Sequence, residues 1–461
     1  MSLALSAAPA SVTTDADVRA GFARDASGLE QVPDAVARPT SVDEVRELLA
    51  WCARDGIAVT PAGGQSSTTG ASVTDRGLLL SLRGLDRVLD LDRAARTVRV
   101  EAGVPLGALK RQLAAEGFLL APDPTSEDDC TMGGAIACNA SGARSLRFGP
   151  TRAHVRGLTV LTIGGETLEL RRPELEKNTV GYAPLFDLVD WFVGSEGTLG
   201  TIVAAELSLL PLPAHVTGLA FPFAGEGDAL AFVAEARERG TPAPRCLEFM
   251  DEQALAIART AASDPRWAEG ATALVYAEID GDEPPDLDTW LALAEAHRAI
   301  VDDVRAYEGE AALRDARRLR HAIPATMNER GARRRPHGGR KVSTDWAVPY
   351  RRLGEALALS RREVASRGLA LPVTYGHAGN GHPHQNFIAA DAEELARITE
   401  AVTATLHHVL AMGGTVAAEH GIGKLKSRWL PLQVSPVQLG LMRAIKRELD
   451  PRNLLSPGNI L

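Results

Sequence analysis

The sequence has little cysteine, no long apolar run and no excess of basic charge. Its four cysteines, Cys52, Cys130, Cys138 and Cys246, include no CxxC pair, which excludes an iron–sulfur cluster and a cysteine-based zinc site and argues against a disulfide framework. No apolar segment approaches the roughly 20 residues of a membrane span. The formal net charge of -9 argues against partners that favour basic proteins, such as nucleic acids and anionic membranes.

The N-terminal segment also lacks the marks of a targeting sequence. It has no basic start, which a secretory signal would have, and Asp15 and Asp17 precede its first basic residue, Arg19. We therefore expect a soluble cytoplasmic protein without a transmembrane segment, with peripheral attachment to the inner membrane as an alternative.

The length indicates two or three domains. The chain has 461 residues, of which 45% are hydrophobic, enough for more than one core. We expect a lead-in over residues 1–32, a first domain over 33–213, an α+β domain over 214–424 and a C-terminal segment over 425–461.

Local patterns predict several elements. Residues 41–44 read Ser-Val-Asp-Glu, a capping box that opens a helix. Residues 57–60 read as a short buried strand, and residues 187–193 and 291–304 read as helices. Residues 158–163 and 167–170 form a predicted hairpin around Gly164-Gly165.

Two glycine-rich stretches in the second half of the chain carry the strongest chemical pattern. Residues 376–384 read GHAGNGHPH and residues 413–421 read GGTVAAEHG, and together they hold four of the 11 histidines. Glycine lets backbone approach a ligand closely. A single histidine is usually a surface residue, but two such segments together favour a functional site over chance composition.

The residue types in these stretches suit a divalent metal. His377, His384 and Glu419 form an N,N,O ligand set that leaves a position for substrate. His420 would then be free to move a proton. His382 has three alternatives: a fourth ligand, a residue that supports the ligands, or a loop residue without a role.

Two further stretches are rich in small residues. Residues 61–70 follow the predicted strand and offer bare N–H groups and hydroxyls that suit a phosphate, although a plain turn is the alternative. They lack the lysine of a Walker loop and the spacing of a Rossmann turn. Residues 130–145 would pack closely against a flat or phosphorylated ligand.

A basic patch spans residues 314–341. Most of its arginines are expected to form a solvated face, but one or two could hold a substrate carboxylate, for which the guanidinium geometry is well suited.

In these motifs the chain resembles the FAD-linked D-2-hydroxy-acid dehydrogenases of the vanillyl-alcohol-oxidase fold. It is similar to the branch with glycolate oxidase D subunits, D-lactate dehydrogenases and D-2-hydroxyglutarate dehydrogenases. The likeness runs from about residue 39 to 461 and rests on residues 38–42, 61–70, 133–149, 177–182, 194–202, 376–384, 413–421 and 450–461. It implies an α+β fold, with a bipartite PCMH-type FAD-binding domain and an α+β cap domain of the FAD-oxidase C-terminal type.

The resemblance implies noncovalent FAD and the residues that hold it. They are Pro61, Gly63, Gly64, Gln65, Ser66, Ser67, Thr69, Gly70, Pro124, Met132, Gly133, Gly134, Ala137, Asn139, Ser141, Gly142, Glu196, Gly200, Ile202, Val203 and Asn459.

The resemblance also implies roles at the reacting centre. His377, His384 and Glu419 would bind zinc or manganese, His420 would be the base, and His384 would also touch the substrate. Arg320 and Lys341 are the residues most like the family's carboxylate-binding pair. The chain departs from the family at residues 380–383, which read Asn-Gly-His-Pro where Asp-Gly-Asn-Leu is usual.

The implied function is oxidation of a D-2-hydroxy acid of the D-2-hydroxyglutarate, D-lactate or glycolate class to its 2-oxo acid. The electron acceptor would be a quinone, a cytochrome or an electron-transfer flavoprotein, and the protein could be a homodimer that binds no nucleic acid. The alternatives are an FAD-containing transferase like alkylglycerone-phosphate synthase and a metal-dependent hydrolase without flavin.

Overall fold

The computed structural model describes residues 8–182, 187–240 and 243–461, and it divides the chain into two compact units. The first unit combines the described residues up to Ser141 with Gly149–Leu212 and Glu419–Leu461, and the second combines Gly142–Phe148 with Pro213–Ala418. The domain boundaries expected from the sequence stay a prediction. Among the described residues, no helix is both long enough and apolar enough to span a bilayer.

The helices and strands are numbered along the chain. The helices are α1 (Ala16–Gly21), α2 (Val42–Asp55), α3 (Leu106–Ala115), α4 (Met132–Ala137), α5 (Ser145–Phe148), α6 (Val189–Phe192), α7 (Glu226–Arg239), α8 (Glu252–Arg259), α9 (Leu287–Ala296), α10 (Gly309–Ala332), α11 (Leu353–Ala365), α12 (Ala392–Ala411), α13 (Leu430–Gln433) and α14 (Pro436–Leu449). The strands are β1 (Val12–Thr13), β2 (Ala35–Ala37), β3 (Val59–Ala62), β4 (Leu78–Ser81), β5 (Val88–Asp92), β6 (Thr97–Glu101), β7 (Phe118–Leu119), β8 (Val155–Leu161), β9 (Thr167–Arg171), β10 (Thr201–Ser208), β11 (Leu210–Pro211), β12 (His215–Phe223), β13 (Cys246–Asp251), β14 (Ala273–Gly281), β15 (Arg305–Glu308), β16 (Lys341–Ser343), β17 (Val373–His377) and β18 (His382–Ile388).

The first unit contains a small mixed sheet and a larger antiparallel one. The small sheet has the order β1-β2-β4-β3, with β2, β4 and β3 parallel. Helix α2 connects β2 to β3; Ser41 caps it, and its apolar residues Leu48 and Leu49 are fully buried. The larger sheet has the order β5-β6-β10-β8-β9 and packs its apolar face against α3 and α4. Strand β3 ends directly at the glycine-rich loop, which positions that loop on a rigid element.

The second unit is built on one antiparallel sheet in the order β15-β12-β14-β13-β17-β18-β16. Its apolar core includes residues of α8 and α10, with Leu255, Leu319 and Ile323 among the buried side chains. Strands β13 and β17 are neighbours within this sheet and carry Glu248 and His377.

Several predicted elements have different bounds in the structure. The strand expected at 57–60 is β3, two residues later, and the helix expected at 187–193 is only α6, four residues long. The helix expected over 291–304 is wrong in its second half, because α9 ends at Ala296. Arg298 has a φ of 61°, and Ala299 pairs with Phe223, so the chain has turned away from the helix there.

The segment Gly142–Phe148 is held in the second unit by ion pairs. Arg144 donates from Nε and Nη2 to the two carboxylate oxygens of Glu278 on β14, each at 2.9 Å, and Arg147 pairs with Asp280. Glu278 is 1% exposed. A bidentate pair in a dry environment fixes geometry well, and removing one partner of such a pair costs about 3–5 kcal/mol.

Candidate active site

A deep cavity lies within the first unit. Its walls come from the loop after β3, the stretch around α4, the turn before β10, and residues Glu419 and His420. It encloses about 1270 Å³ of empty space, open solvent at its mouth included. Ligand sites in proteins are clefts of this kind, with mostly apolar walls and a few polar groups.

The glycines of the first loop are required by close packing. A Cβ on Gly64 would lie 1.9 Å from the carbonyl oxygen of Asp129, and a Cβ on Gly63 would lie 2.2 Å from Oγ1 of Thr131. Side chains at these positions would therefore push the loop off the α4 segment. The loop lines the cavity with bare backbone and with the hydroxyls of Ser66, Ser67 and Thr68.

Gln65 closes this loop in a strained conformation. Its φ is 56°, and its Nε2 donates to the carbonyl oxygens of Phe22 at 3.0 Å and Ser72 at 3.1 Å. Non-glycine residues in the left-handed region persist where surrounding contacts hold them, and they concentrate at functional sites. Asn139 and Glu196, with φ values of 49° and 51°, are in the same conformation near the cavity wall.

Most of the predicted FAD-binding residues line this cavity. Those that line the cavity are Pro61, Gly63, Gly64, Gln65, Ser66, Ser67, Pro124, Gly133, Gly134, Ala137, Ser141, Glu196, Gly200 and Ile202. Outside its lining lie Thr69, Gly70, Met132, Asn139, Gly142, Val203 and Asn459. Lining residues that the sequence analysis did not single out include Ser72, Leu82, Ala102, Thr125, Ser126 and Thr131. Ser72, Thr125, Ser126 and Thr131 lie within or beside the glycine-rich stretches, whereas Leu82 and Ala102 had no signal in the sequence.

Glu196 and Asn459 support the turn after His420. Both carboxylate oxygens of Glu196 accept backbone N–H groups, from Ile422 at 2.6 Å and from Gly423 at 2.7 Å. Burial raises the pKa of the Glu196 carboxyl, and these two N–H groups oppose that rise. Asn459 donates to the carbonyl oxygen of Glu196 at 3.2 Å and accepts from Nζ of Lys424 at 2.7 Å, and so ties the C-terminal segment to both.

A carboxylate and an imidazole stand side by side in the cavity wall. Oε1 of Glu419 is 3.4 Å from Nε2 of His420, and Ser141 Oγ donates to Oε2 of Glu419 at 3.4 Å. The Glu419 side chain is 8% exposed and that of His420 is 25% exposed. The imidazole is thus within reach of a molecule in the cavity.

The cavity fits FAD by the chemistry of its lining. Bare backbone and serine and threonine hydroxyls follow β3, as a pyrophosphate needs. Apolar side chains of Leu82, Ala102 and Ile202 line the same cavity and suit a flat ring system.

In the second unit, three histidines share one face of the β17–β18 hairpin. His377 pairs with His382 and Tyr375 with His384 across the antiparallel strands, and directly opposite residues of such a pair point to the same side. The ring centroids of His382 and His384 are 4.6 Å apart, and those of His377 and His384 are 5.1 Å apart. All three side chains are buried.

Gly376 makes this approach of the rings possible. Its φ is 142°, and a Cβ there would lie 2.9 Å from the backbone nitrogen of His384 and 3.2 Å from its ring carbon Cδ2. A side chain at this position would push His384 away from His377.

A buried carboxylate links His377 to Arg320. Oε1 of Glu248 is 2.5 Å from Nδ1 of His377, and Arg320 Nε donates to Oε2 of Glu248 at 2.9 Å. Burial alone would raise the pKa of the Glu248 carboxyl, but the charges and hydrogen bonds of His377 and Arg320 outweigh it and lower the pKa to about 2. No sequence pattern pointed to Glu248, because a single glutamate in a strand is not distinctive.

Lys341, the second predicted carboxylate-binding residue, does not share the partner of Arg320, which is Glu248. Its Nζ donates to Oδ1 of Asn328 at 2.8 Å, and Asn328 lies eight residues beyond Arg320 on α10, about 12 Å along the helix axis. Burial lowers the pKa of the Lys341 amine to about 8.

The histidine pair His377 and His384 fits a divalent metal. Their Nε2 atoms are 3.4 Å apart. Two zinc–nitrogen bonds of about 2.0–2.1 Å at a tetrahedral angle hold their nitrogens about 3.3–3.4 Å apart. The separation therefore suits one cation bound by both rings.

Comparison with known protein families decides the class. The family model described as "FAD linked oxidases, C-terminal domain" matches residues 212–460, and the one described as "FAD binding domain" matches residues 33–171. This chain belongs to the FAD-linked oxidases. That membership confirms the predicted family, the binding of FAD and the enzyme class, an FAD-dependent oxidoreductase.

Curated relatives of this FAD-linked oxidase span nearly all of its chain. It is 34% identical over 437 residues to D-2-hydroxyglutarate dehydrogenase of Xanthomonas citri pv. viticola, covering 93% of this chain and 89% of that protein. It is 30% identical to glycolate oxidase subunit GlcD of Bacillus subtilis, covering 94% and 89%. It is 28% identical to D-lactate dehydrogenase of Anaerostipes hadrus, covering 98% and 95%.

Solved structures share the fold of this FAD-linked oxidase at low identity. Alkyldihydroxyacetonephosphate synthase matches with a TM-score of 0.71 and 19% identity, over 98% of this chain and 82% of that one. p-Cresol methylhydroxylase matches with a TM-score of 0.72 and 15% identity, over 98% and 93%. These likenesses confirm the predicted fold class, an α+β protein of the PCMH type.

Proposed function

We propose that this FAD-linked oxidase oxidises a D-2-hydroxy acid of the D-2-hydroxyglutarate, D-lactate or glycolate class to the 2-oxo acid. The observation that carries the proposal is the pair Glu419 and His420, a carboxylate and an imidazole 3.4 Å apart in the wall of the cavity suited to FAD. The names of the relatives at 28–34% identity support the substrate class.

FAD would be held by the cavity of the first unit. The loop of residues 63–70 and the stretch around α4 would bind its pyrophosphate through backbone N–H groups and hydroxyls, and Ile202 would pack near the ring system. The flavin supplies a hydride acceptor when bound. Glu196 and Asn459, through the turn that they fix, would hold His420 at the cavity.

A divalent cation, zinc or manganese, would be bound by His377, His384 and Glu419. Glu419 directly follows Ala418, the last residue of the second unit. A free alcohol, with a pKa near that of water at about 15.7, is about 9 units less acidic than an imidazolium, a gap of roughly 12 kcal/mol. A bound cation of this kind lowers such a pKa by roughly 8 to 9 units.

His420 would accept the proton of the substrate hydroxyl while the C2 hydrogen leaves as hydride. General-base catalysis requires an acceptor that reaches the reacting proton, and His420 is the partly exposed imidazole of the cavity wall. Its neighbour Glu419 contributes negative charge, which stabilises the imidazolium that forms.

Arg320 or Lys341 would bind the substrate carboxylate. Arg320 is held rigidly, since it pairs with Glu248 and lies over the ring of Tyr375 with its guanidinium carbon 4.3 Å from the ring centroid. Lys341 carries a positive charge only while it is protonated, and burial brings its pKa to about 8.

The role of Lys341 predicts a pH dependence of substrate binding. Below about pH 8 the amine is charged and binds the carboxylate; above it the charge is lost. A hydrogen bond to a charged group contributes about 1.5–3 kcal/mol. The KM for the substrate should therefore rise by about 10- to 100-fold as the pH increases through about 8. In Lys341→Arg, which keeps its charge to above about pH 12, KM should stay flat. A flat KM in the wild-type protein would contradict the role.

Anaerobic reduction of the flavin tests the function itself. The purified protein should be yellow, and under nitrogen its absorbance should be bleached by one of D-lactate, D-2-hydroxyglutarate or glycolate, and not by the L-isomer of a chiral acid. A transferase similar to alkyldihydroxyacetonephosphate synthase would keep its flavin oxidised with each acid, and a hydrolase would be colourless. Either result would refute the proposal.

The fate of the electrons and the setting of the enzyme are further proposals. The sequence has no CxxC pair or other iron–sulfur motif, so we propose a quinone, a cytochrome or an electron-transfer flavoprotein as the external acceptor. We also propose a homodimer in the cytoplasm or at the inner membrane surface.

A further inference from the structure

The β17–β18 hairpin carries a third histidine, His382, beside the two proposed metal ligands His377 and His384. The sequence has Asn-Gly-His-Pro at residues 380–383, and His382 is only 4% exposed. Strand pairing places His382 directly opposite His377 and two residues before His384. His382 therefore lies on the face of the hairpin that already carries His377 and His384.

The three rings form a compact set. Each offers a ring nitrogen, and these nitrogens lie within 4.8 Å of one another. Those of His377 and His384 are already at the separation that one cation requires. The ring of His382 is closer to the ring of His384, at 4.6 Å between centroids, than the ring of His377 is, at 5.1 Å.

Two of the rings each lie beside a buried carboxylate. Oε1 of Glu248 is 2.5 Å from Nδ1 of His377, and Oδ1 of Asp345 is 3.2 Å from Nε2 of His382. Both carboxylates are almost fully buried. A histidine that binds a metal usually gives its other ring nitrogen to a carboxylate or carbonyl, which fixes the ring and raises its basicity. Asp345 thus lies at ion-pair distance from Nε2 of His382, which leaves Nδ1 of that ring for a metal, whereas Glu248 contacts Nδ1 of His377 and leaves its Nε2.

We propose that His382 is a third imidazole ligand of the metal and makes the site selective for zinc. The inference rests on the proposed function, because it adds a ligand to the metal site proposed there. With four protein ligands, the zinc would be five-coordinate when it also binds the substrate hydroxyl. Imidazole favours zinc over manganese, whereas oxygen donors such as amides and carboxylates suit manganese. Asp345 is the positioning residue that fixes the ring of His382.

Metal titration of the purified flavoprotein tests the proposal. After removal of bound metal, the zinc affinity of His382→Asn should fall by at least about 100-fold, and its ratio of zinc to manganese affinity should fall by at least about tenfold. Asp345→Asn should lose about 10- to 100-fold in zinc affinity, as is usual for such partners. The matched control is His408→Asn, since His408 Nε2 also lies near a carboxylate of the second unit, Glu363 at 2.9 Å; its affinities should be those of the wild type.

X-ray absorption at the zinc edge of the wild-type protein counts imidazole ligands without any substitution. Three imidazoles support the proposal. Two imidazoles, or an unchanged zinc-to-manganese ratio in a folded His382→Asn protein, overturn it and leave the proposed function intact. A wild-type protein that binds no divalent metal overturns both this inference and the metal half of the proposed function.

Discussion

Replacing His420 with alanine is expected to leave FAD bound and to slow flavin reduction by about 10²- to 10⁴-fold, the usual contribution of a general base. The expectation follows from its place in the cavity wall, where the side chain is 25% exposed and its Nε2 is 3.4 Å from Oε1 of Glu419. The measurement is the rate of anaerobic bleaching by the best substrate in rapid mixing, with FAD and metal content determined on the same samples.

The comparison with His408→Ala separates catalysis from a general effect of losing an imidazole. His408 lies on α12 and interacts with Glu363 at the protein surface, so its removal should leave the reduction rate unchanged. If His420→Ala retained FAD and metal and its flavin were reduced within about tenfold of the wild-type rate, another group would have to accept the proton.

Removal of the metal is expected to have the second large effect. Chelation should lower the rate of flavin reduction by at least about 10³-fold, since a cation contributes several kcal/mol and each 1.36 kcal/mol is a factor of ten. Addition of zinc or manganese should restore the rate. The absorbance of the flavin should be unchanged, because the residues proposed to hold FAD are distinct from the proposed metal ligands.

Glu419→Gln provides the matched variant, since it keeps the size of the side chain and removes its charge. It should bind metal more weakly and be restored only at higher metal concentrations. A second readout is thermal: a ligand that binds only the folded state raises the melting temperature, so metal should raise that of the wild type more than that of Glu419→Gln. Metal-free protein with full activity would refute the metal half of the mechanism.

The sequence was sufficient to predict the elements that have a local sequence pattern. The capping box at Ser41 is the start of α2, and the hydroxyl of Ser41 accepts the backbone N–H of Glu44. The glycine-rich stretches 61–70 and 130–145 both line the cavity of the first unit, the first at the end of β3 and the second in and around α4. The helix expected over 291–304 failed because its apolar spacing continued past Arg298, whose left-handed conformation no spacing rule detects.

The supporting residues of the site could not be predicted, because their roles depend on strand pairing. Glu248 meets His377 because β13 pairs with β17 in a register that sets Phe249 opposite Gly376. Glu196 was predicted to touch FAD, yet its carboxylate holds the backbone of Ile422 and Gly423. Both contacts join residues more than a hundred positions apart, and a single sequence carries no record of such pairs.

The division of the chain also sets the order in which the protein can be completed during synthesis. The N-terminal strand β3 receives its last neighbour from the far end of the chain, since Val59 donates to the carbonyl oxygen of Leu454 and accepts from the backbone N–H of Ser456, both at 2.7 Å. Leu454 and Ser456 follow the whole second unit along the chain, so the first unit cannot complete this sheet edge until the second unit has been synthesised. Until then the β3 edge, which leads into the loop that lines the cofactor cavity, lacks this neighbour. A nascent chain therefore cannot finish its cofactor pocket before the second unit has left the ribosome.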